Sequence, residues 1–267
     1  SLPYLRNFDL AGTAAAALGA RIPRMNRAAT MTTSLPYLRN FDLSGQVALV
    51  TGSARGLGFC IARALAGCGA RVLINGRNEQ AAASTAAALR GDGLDAHALA
   101  FDVSDDAAMA RAFARIDAEH GRLDILVNNV GARNRKTLAA TSAAEIRELI
   151  DTDLVAGILL AKHAAERMAR QGGGRLIAIT SVVGELARAG DAVYPAAKQG
   201  LTGMVRALAA EFGGRGITSN AIAPGTFATE TNAQMVADPG VGPRIAARNP
   251  TGRWGEPEEI AGAAVFL

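Results

Sequence analysis

The 267 residues suit one large α/β domain better than two full ones. With 49% hydrophobic but only 4% aromatic residues, and 30 glycines, the core must be Ala, Val, Leu and Ile, a composition that argues against disorder. Of the formal charge of +4, residues 1–33 hold +3 and the rest about +1 with both signs mixed; no basic run with interleaved aromatics points to nucleic acid, and no apolar run is long enough to span a bilayer.

Ser1–Leu10 reads SLPYLRNFDL and recurs unchanged at Ser34–Leu43. Two copies around unrelated sequence are not a solenoid repeat. A cloning remnant, a misassigned start or a recent duplication explains them better, and Met25 and Met31 are candidate starts. Ala11–Thr30 is Ala/Arg-rich and acid-free like a targeting peptide, but its apolar part is weak and follows an acid. Residues 1–33 therefore read as a non-native-looking or disordered extension, and 34–267 as the domain.

From Gly45 onward, β-rich runs alternate with helical periodicities. Strands are predicted over Val47–Thr51, Arg71–Asn75, Ala96–Phe101, Asp124–Asn128, Arg175–Thr180 and Ile217–Ile222. Helices fall near Leu57–Cys68, Glu79–Leu89, Asp105–Glu119, Ala143–Arg170 and Ala196–Phe212. This order implies a doubly wound parallel sheet of Rossmann type, a three-layer α/β/α single domain. Ligands on such sheets bind beyond the carboxyl ends of the strands. Cys60 and Cys68, two helical turns apart, are too distant for a disulfide and fit a reducing, cytoplasmic compartment. His97, His120 and His163 lack ligand spacing, so no metal site is expected.

After the first strand comes Thr51-Gly52-Ser53-Ala54-Arg55-Gly56-Leu57-Gly58, opening the first helix. Such glycines permit a tight turn and close approach to a pyrophosphate, while the helix N-terminus supplies amides. The second strand ends Asn75-Gly76-Arg77-Asn78, without the acid that would hold the ribose hydroxyls of NAD. Arg77 and Arg55 can instead converge on a 2′-phosphate, favouring NADP(H) over NAD(H). Either arginine alone would read as a surface charge. Farther on, Tyr194 and Lys198 lie one helical turn apart and project from one face. An ammonium and a nicotinamide charge would lower the tyrosine pKa toward working pH, as proton transfer at a carbonyl requires. Pro195 is tolerable only in a first helical turn.

The glycine pattern, Asn128-Asn129-Val130-Gly131, Ser181, Tyr194, Lys198 and Pro224-Gly225 together resemble the short-chain dehydrogenase/reductase family from about Leu43 to the end. The resemblance implies cofactor contacts at Gly52, Arg55, Gly56, Leu57, Gly58, Arg77, Asn78, Asp102, Val103, Asn128, Gly131, Tyr194, Lys198, Pro224, Gly225, Phe227 and Thr229. Asp102 would receive the adenine amino group, unless it merely caps a helix before Ser104. Ser181 would hold the substrate oxygen for Tyr194. Where the family has asparagine, this chain has Asp153, on an apolar stripe of Ile146, Leu149, Ile150, Leu154, Gly157 and Ile158. Asp153 should therefore face inward near Lys198, as a candidate catalytic group in an altered proton relay or as a tolerated substitution.

Gly184-Glu185-Leu186-Ala187-Arg188, Pro224–Glu230 and Gly252-Arg253-Trp254-Gly255 resemble the gluconate 5-dehydrogenase branch more closely. That branch implies a sugar-acid substrate met by Glu185, Ser181, Tyr194 and a cation, Arg133 or Arg135, with Arg135 the better match. A 3-oxoacyl or general keto reductase is the nearest alternative; an NADP-binding regulatory protein with a weak site is the alternative of another class. The stretch to Pro250 reads as a substrate lid. The resemblance implies a seventh strand beyond the helix after Gly255, a C-terminal strand missing from the sequence, which ends at Leu267. The same resemblance implies that the long helices Ala143–Arg170 and Ala196–Phe212 build the face of a homodimer or homotetramer.

Overall fold

The computed structural model describes residues 36–186 and 189–267. The extension 1–33 with its first decapeptide copy, and Ala187-Arg188 of the branch motif, lie outside the described residues. The compact unit that carries everything below is Asn40–Leu267.

Six parallel strands form one sheet: β1 Val47–Val50, β2 Arg71–Ile74, β3 Ala96–Ala98, β4 Ile125–Asn128, β5 Gly174–Ile179 and β6 Ile217–Ile222, in the order β3-β2-β1-β4-β5-β6. Runs such as VALV and ILVN are buried throughout, as expected of strands covered on both faces. Alternation assigns the side chains to two cores. Ala48, Val50, Val72, Ile74, Ile125 and Val127 meet α1 (Gly56–Gly67) and α2 (Glu79–Gly91) through Ile61, Leu65, Ala82, Ala86 and Leu89. Val47, Leu49, Leu73, Leu126 and Leu176 meet α3 (Asp106–His120) and α5 (Ala156–Gln171) through Met109, Phe113, Ile116, Leu160 and Met168. The doubly wound three-layer architecture is thus present, with its order reversing between β1 and β4.

Four features differ from the sequence reading. β3 stops at Ala98 because the buried Asn75 side chain takes the carbonyls of Leu99 and Phe101, both at 3.1 Å. The long helix after β4 is divided: α4 (Ala143–Ile150), closed at its start by a Ser142–Glu145 capping box, passes through one π turn at Asp151–Val155 into α5. Asp153 is buried as the stripe predicts, but the turn shifts the register so that Val155 and Ile158, the latter expected in the stripe, are exposed. α6 runs from Val193 to Phe212, three residues earlier than predicted, with Pro195 still in the first turn. The stretch read as a loop to Pro250 folds into α7 (Ala233–Ala237) and α8 (Gly242–Ala246). Thr226 and Asn249 hydrogen-bond each other at its ends, and Trp254 Nε1 donates to Gly242 O at 3.1 Å. The short α9 (Ala261–Phe266) returns to α1 and closes the first core through Ala264.

Candidate functional site

A cleft of about 990 Å³ opens at the carboxyl ends of β1 and β4, where the strand order reverses. Its wall includes Gly52, Arg55, Gly56 and Leu57 on one side and Ser181, Tyr194 and Lys198 on the other. Arg77, Asn78, Asp102, Val103, Gly131, Arg135, Pro224, Gly225, Phe227 and Thr229 also line it. Gly58, Asn128, Asp153 and Glu185 lie outside that wall. Two of them act from behind it. A Cβ on Gly58 would stand 2.5 Å from the Gly52 carbonyl, so only glycine lets α1 rise this close to the loop. Asn128 is buried against Gly157, with its Nδ2 unpartnered.

The glycine-loop end fits a dinucleotide phosphate. α1 begins without a side-chain cap and without an acid in its first turn, so its leading amides and positive potential face the cleft. Arg55 and Arg77 are exposed beside it, and no carboxylate stands between Asn75 and Asn78. Asn78 also caps α2 by accepting from Ala81 N at 2.9 Å. Asp102 accepts from Ser104 N at 2.9 Å, whereas the cap of α3 is Asp105.

Sequence reasoning missed what stiffens this end. Asn75 Oδ1 accepts from Gly52 N at 3.2 Å while its amide holds the two carbonyls beyond β3. Asn129 Nδ2 donates to Thr51 O and Gly52 O. Both residues stand at predicted strand ends, and a polar amide closing an apolar strand was the available signal.

At the other end, α6 presents Tyr194 and Lys198 from its first turns, and Ser181 at the end of β5 stands close enough to Tyr194 for its hydroxyl to favour tyrosinate. Lys198 is almost fully buried; its Nζ donates to Ile179 O at 3.2 Å and lies 5.6 Å from the Tyr194 ring centroid. Gly131 is what makes room, since a Cβ there would stand 2.8 Å from Lys198 Nζ. Behind the lysine, Asp153 accepts from Ala132 N at 2.6 Å through Oδ1, while its Oδ2 lies 3.9 Å from Lys198 Nζ and accepts no hydrogen bond.

Burial governs the electrostatics. It pushes the Asp153 carboxyl up to about 6, against the pull of Lys198 and the Ala132 amide. It pushes the Lys198 ammonium below its ordinary value, with Asp153 opposing. Tyr194 sits above its ordinary value because burial outweighs the Ser181 hydrogen bond and the Arg133 charge that favour tyrosinate. The expected lowering of this phenol is therefore not reached by the chain's own charges. Among the described residues no cluster could hold a metal, no helix is long and apolar enough to cross a membrane, and Cys60 and Cys68 are free thiols.

Known proteins share this architecture. A family model described as enoyl-(acyl carrier protein) reductase matches residues 52–267. Gluconate 5-dehydrogenase of Gluconobacter oxydans is 40% identical over 219 residues, 82% of this chain and 86% of that protein. The 3-oxoacyl-(acyl-carrier-protein) reductase of Escherichia coli is 39% identical over 219 residues, 82% of this chain and 88% of that protein. The crystal structure of a gluconate 5-dehydrogenase from Burkholderia cenocepacia, in complex with NADP and tartrate, matches with a TM-score of 0.83 at 39% identity, covering 86% of this chain and 91% of that one. With matches of this extent over the glycine loop, the sheet and α6, the chain belongs to the short-chain dehydrogenase/reductase family.

Proposed function

We propose that this chain is an NADP(H)-dependent oxidoreductase interconverting a secondary alcohol and its ketone, with a sugar acid of the gluconate/5-ketogluconate kind as substrate. The observation that carries the reading is the meeting of Ser181, Tyr194 and Lys198 in one cleft with an uncapped glycine loop flanked by Arg55 and Arg77. Bound NADP supplies the hydride acceptor for oxidation and, reduced, the donor for the reverse direction. The chain's residues do the rest. Arg55 and Arg77 hold the 2′-phosphate, Asp102 and Val103 border the adenine half, and Pro224, Gly225, Phe227 and Thr229 border the nicotinamide half. Ser181 hydrogen-bonds the substrate oxygen and keeps it beside the Tyr194 hydroxyl. In oxidation the Tyr194 oxygen takes the alcohol proton; in reduction it returns one to the forming alkoxide. Such positioned proton transfer contributes roughly 100- to 10,000-fold. Lys198 Nζ stands 5.6 Å from the Tyr194 ring centroid, and an oxidised nicotinamide held there would add the positive charge that burial of Tyr194 demands.

The sugar-acid substrate is supported by the Gluconobacter and Burkholderia relatives and by two arginines, Arg133 and Arg135, on the cleft wall. Reduction of a 3-oxoacyl thioester is the second reading, favoured by an equally extensive match to the Escherichia coli reductase. A panel of polyols, hydroxy acids and 3-oxoacyl thioesters, run with NADP(H) and NAD(H) and followed by nicotinamide absorbance, separates them. Tight NADPH binding with no turnover of any member would refute the enzyme and leave a regulatory binder. A homodimer or homotetramer formed across α5 and α6 is part of the same proposal, supported by exposed Val155 and Ile158 on the outer face of the divided helix. So is a reducing, cytoplasmic setting, which the free thiols suit.

A further inference from the structure

Two ion pairs meet Tyr194. In one, Lys198 Nζ lies 5.6 Å from the ring centroid and Asp153 Oδ2 lies 3.9 Å from that nitrogen. In the other, Arg133 Cζ lies 4.7 Å over the same ring, and its guanidinium pairs through Nε and Nη2 with Asp191, which precedes α6. Both cations line the cleft, whereas both carboxylates stand off its wall. The Asp153 side chain is 0% exposed and the Asp191 side chain 3%. A cation this close to a phenol favours tyrosinate, and a carboxylate buried beside that cation cancels much of the pull, because little water screens either charge. Among the groups that face the phenol, burial raises it most; Asp153 and Asp191 add to the rise, and the Ser181 hydroxyl and the Arg133 charge oppose it. Burial lifts the Asp153 carboxyl itself only to about 6, so it carries its charge from neutrality upward. Two cations and two carboxylates thus leave no net charge around the group that moves the proton.

We infer that Asp153 and Asp191 are positioning residues that keep Tyr194 a phenol at neutral pH by cancelling the two cations beside it, and so tune the cleft to the reduction of a ketone. The inference rests on the oxidoreductase reading of the cleft and adds the direction for which it is built. Reduction needs a proton on the Tyr194 oxygen when the alkoxide forms, and oxidation needs that oxygen bare. Lys198 and Arg133 alone would favour the bare oxygen. The two acids come from separate elements, the π turn after α4 and the loop before α6, and each is set against a different cation.

Ultraviolet titration of the NADP-loaded full chain reads tyrosinate directly, and subtracting the matching Tyr194→Phe protein removes Tyr4 and Tyr37. Tyr194 of the parent should titrate above neutrality. Asp153→Asn and Asp191→Asn are near-isosteric and each unmasks one cation, so each should bring the midpoint down by about one pH unit. Below the midpoint one pH unit is tenfold in tyrosinate, so gluconate oxidation at neutral pH should rise ~10-fold in Asp153→Asn. The pH at which 5-ketogluconate reduction falls off should move down with it. A midpoint unchanged or raised in either variant would overturn the assignment; a rise would mean that the cation loses its place or its charge together with its partner. Turnover reports separately on the oxidoreductase reading. Shifted midpoints with no turnover of any polyol, hydroxy acid or 3-oxoacyl thioester would sink that reading and leave the charge balance around the phenol standing.

Discussion

Replacing Asp153 with asparagine removes one titrating group from behind Lys198 and little else, since the two side chains are nearly isosteric. In the folded chain this carboxyl is raised to about 6 from an ordinary 3.8, chiefly by burial. An acid with a raised folded pKa keeps its proton longer when folded than when unfolded. Between those two values the folded state binds more protons, so stability falls as pH rises through the window and then levels off. The side chain is fully buried, so solvent does not screen it. A shift of this size corresponds to about 3 kcal/mol at and above neutrality, and roughly half of it develops between about pH 5 and pH 7.5. Asp153→Asn lacks this slope. Burial lowers the Lys198 ammonium in both proteins, and Asp153 opposes that only in the parent. Urea unfolding of the two proteins at those two pH values should therefore show the variant gaining about 1.5 kcal/mol on the parent. A second readout comes from catalysis. The Asp153 charge holds the Tyr194 pKa up, so its removal should move the rising limb of the oxidation rate profile, along which Tyr194 loses its proton, to lower pH. A stability difference that stays constant with pH, or one that shrinks as pH rises, would refute the reasoning. It would mean that the ion pair with Lys198, and not burial, decides the state of this carboxyl.

Four other substitutions probe separate parts of the cleft. Tyr194→Phe removes the proton donor and acceptor, so kcat should fall ~100- to 10,000-fold while NADPH affinity measured by fluorescence changes little; retained turnover would exclude Tyr194. Arg55→Ala and Arg77→Ala should each weaken NADP about tenfold and leave NAD nearly unaffected, because only NADP carries the phosphate they face; a parallel loss for both cofactors would exclude that role. Asn75→Ala leaves the carbonyls of Leu99 and Phe101 and the Gly52 amide without their partner. The expected loss in urea unfolding is about 2–4 kcal/mol, with cofactor affinity reduced as the glycine loop loosens; a variant as stable as the parent would show that water replaces the amide.

Much of the fold was legible because strands covered on both faces read as continuous Val/Ile/Leu runs, and the helices between them keep their own period. The two ends of the site were legible for a local reason as well. The glycine loop sits at a strand-to-helix junction, and Tyr194 and Lys198 share a helix turn, so each part is carried by residues close together in the chain. The π turn at Asp151–Val155 was not legible, because periodicity averages over a helix and one inserted residue leaves the stripe on either side intact. Its effect falls on Ile158, which is turned out, while Asp153 faces Lys198 as the stripe predicts. The Arg133–Asp191 pair was hidden for the opposite reason. Its members are 58 residues apart, and they meet only because β4 pairs with β5, which brings the loop after β4 beside the start of α6. In sequence each is one more charge in a mixed background. Only the register of the sheet makes one of them a carboxylate that cannot be left alone, and so makes the other a fixed cation over the phenol.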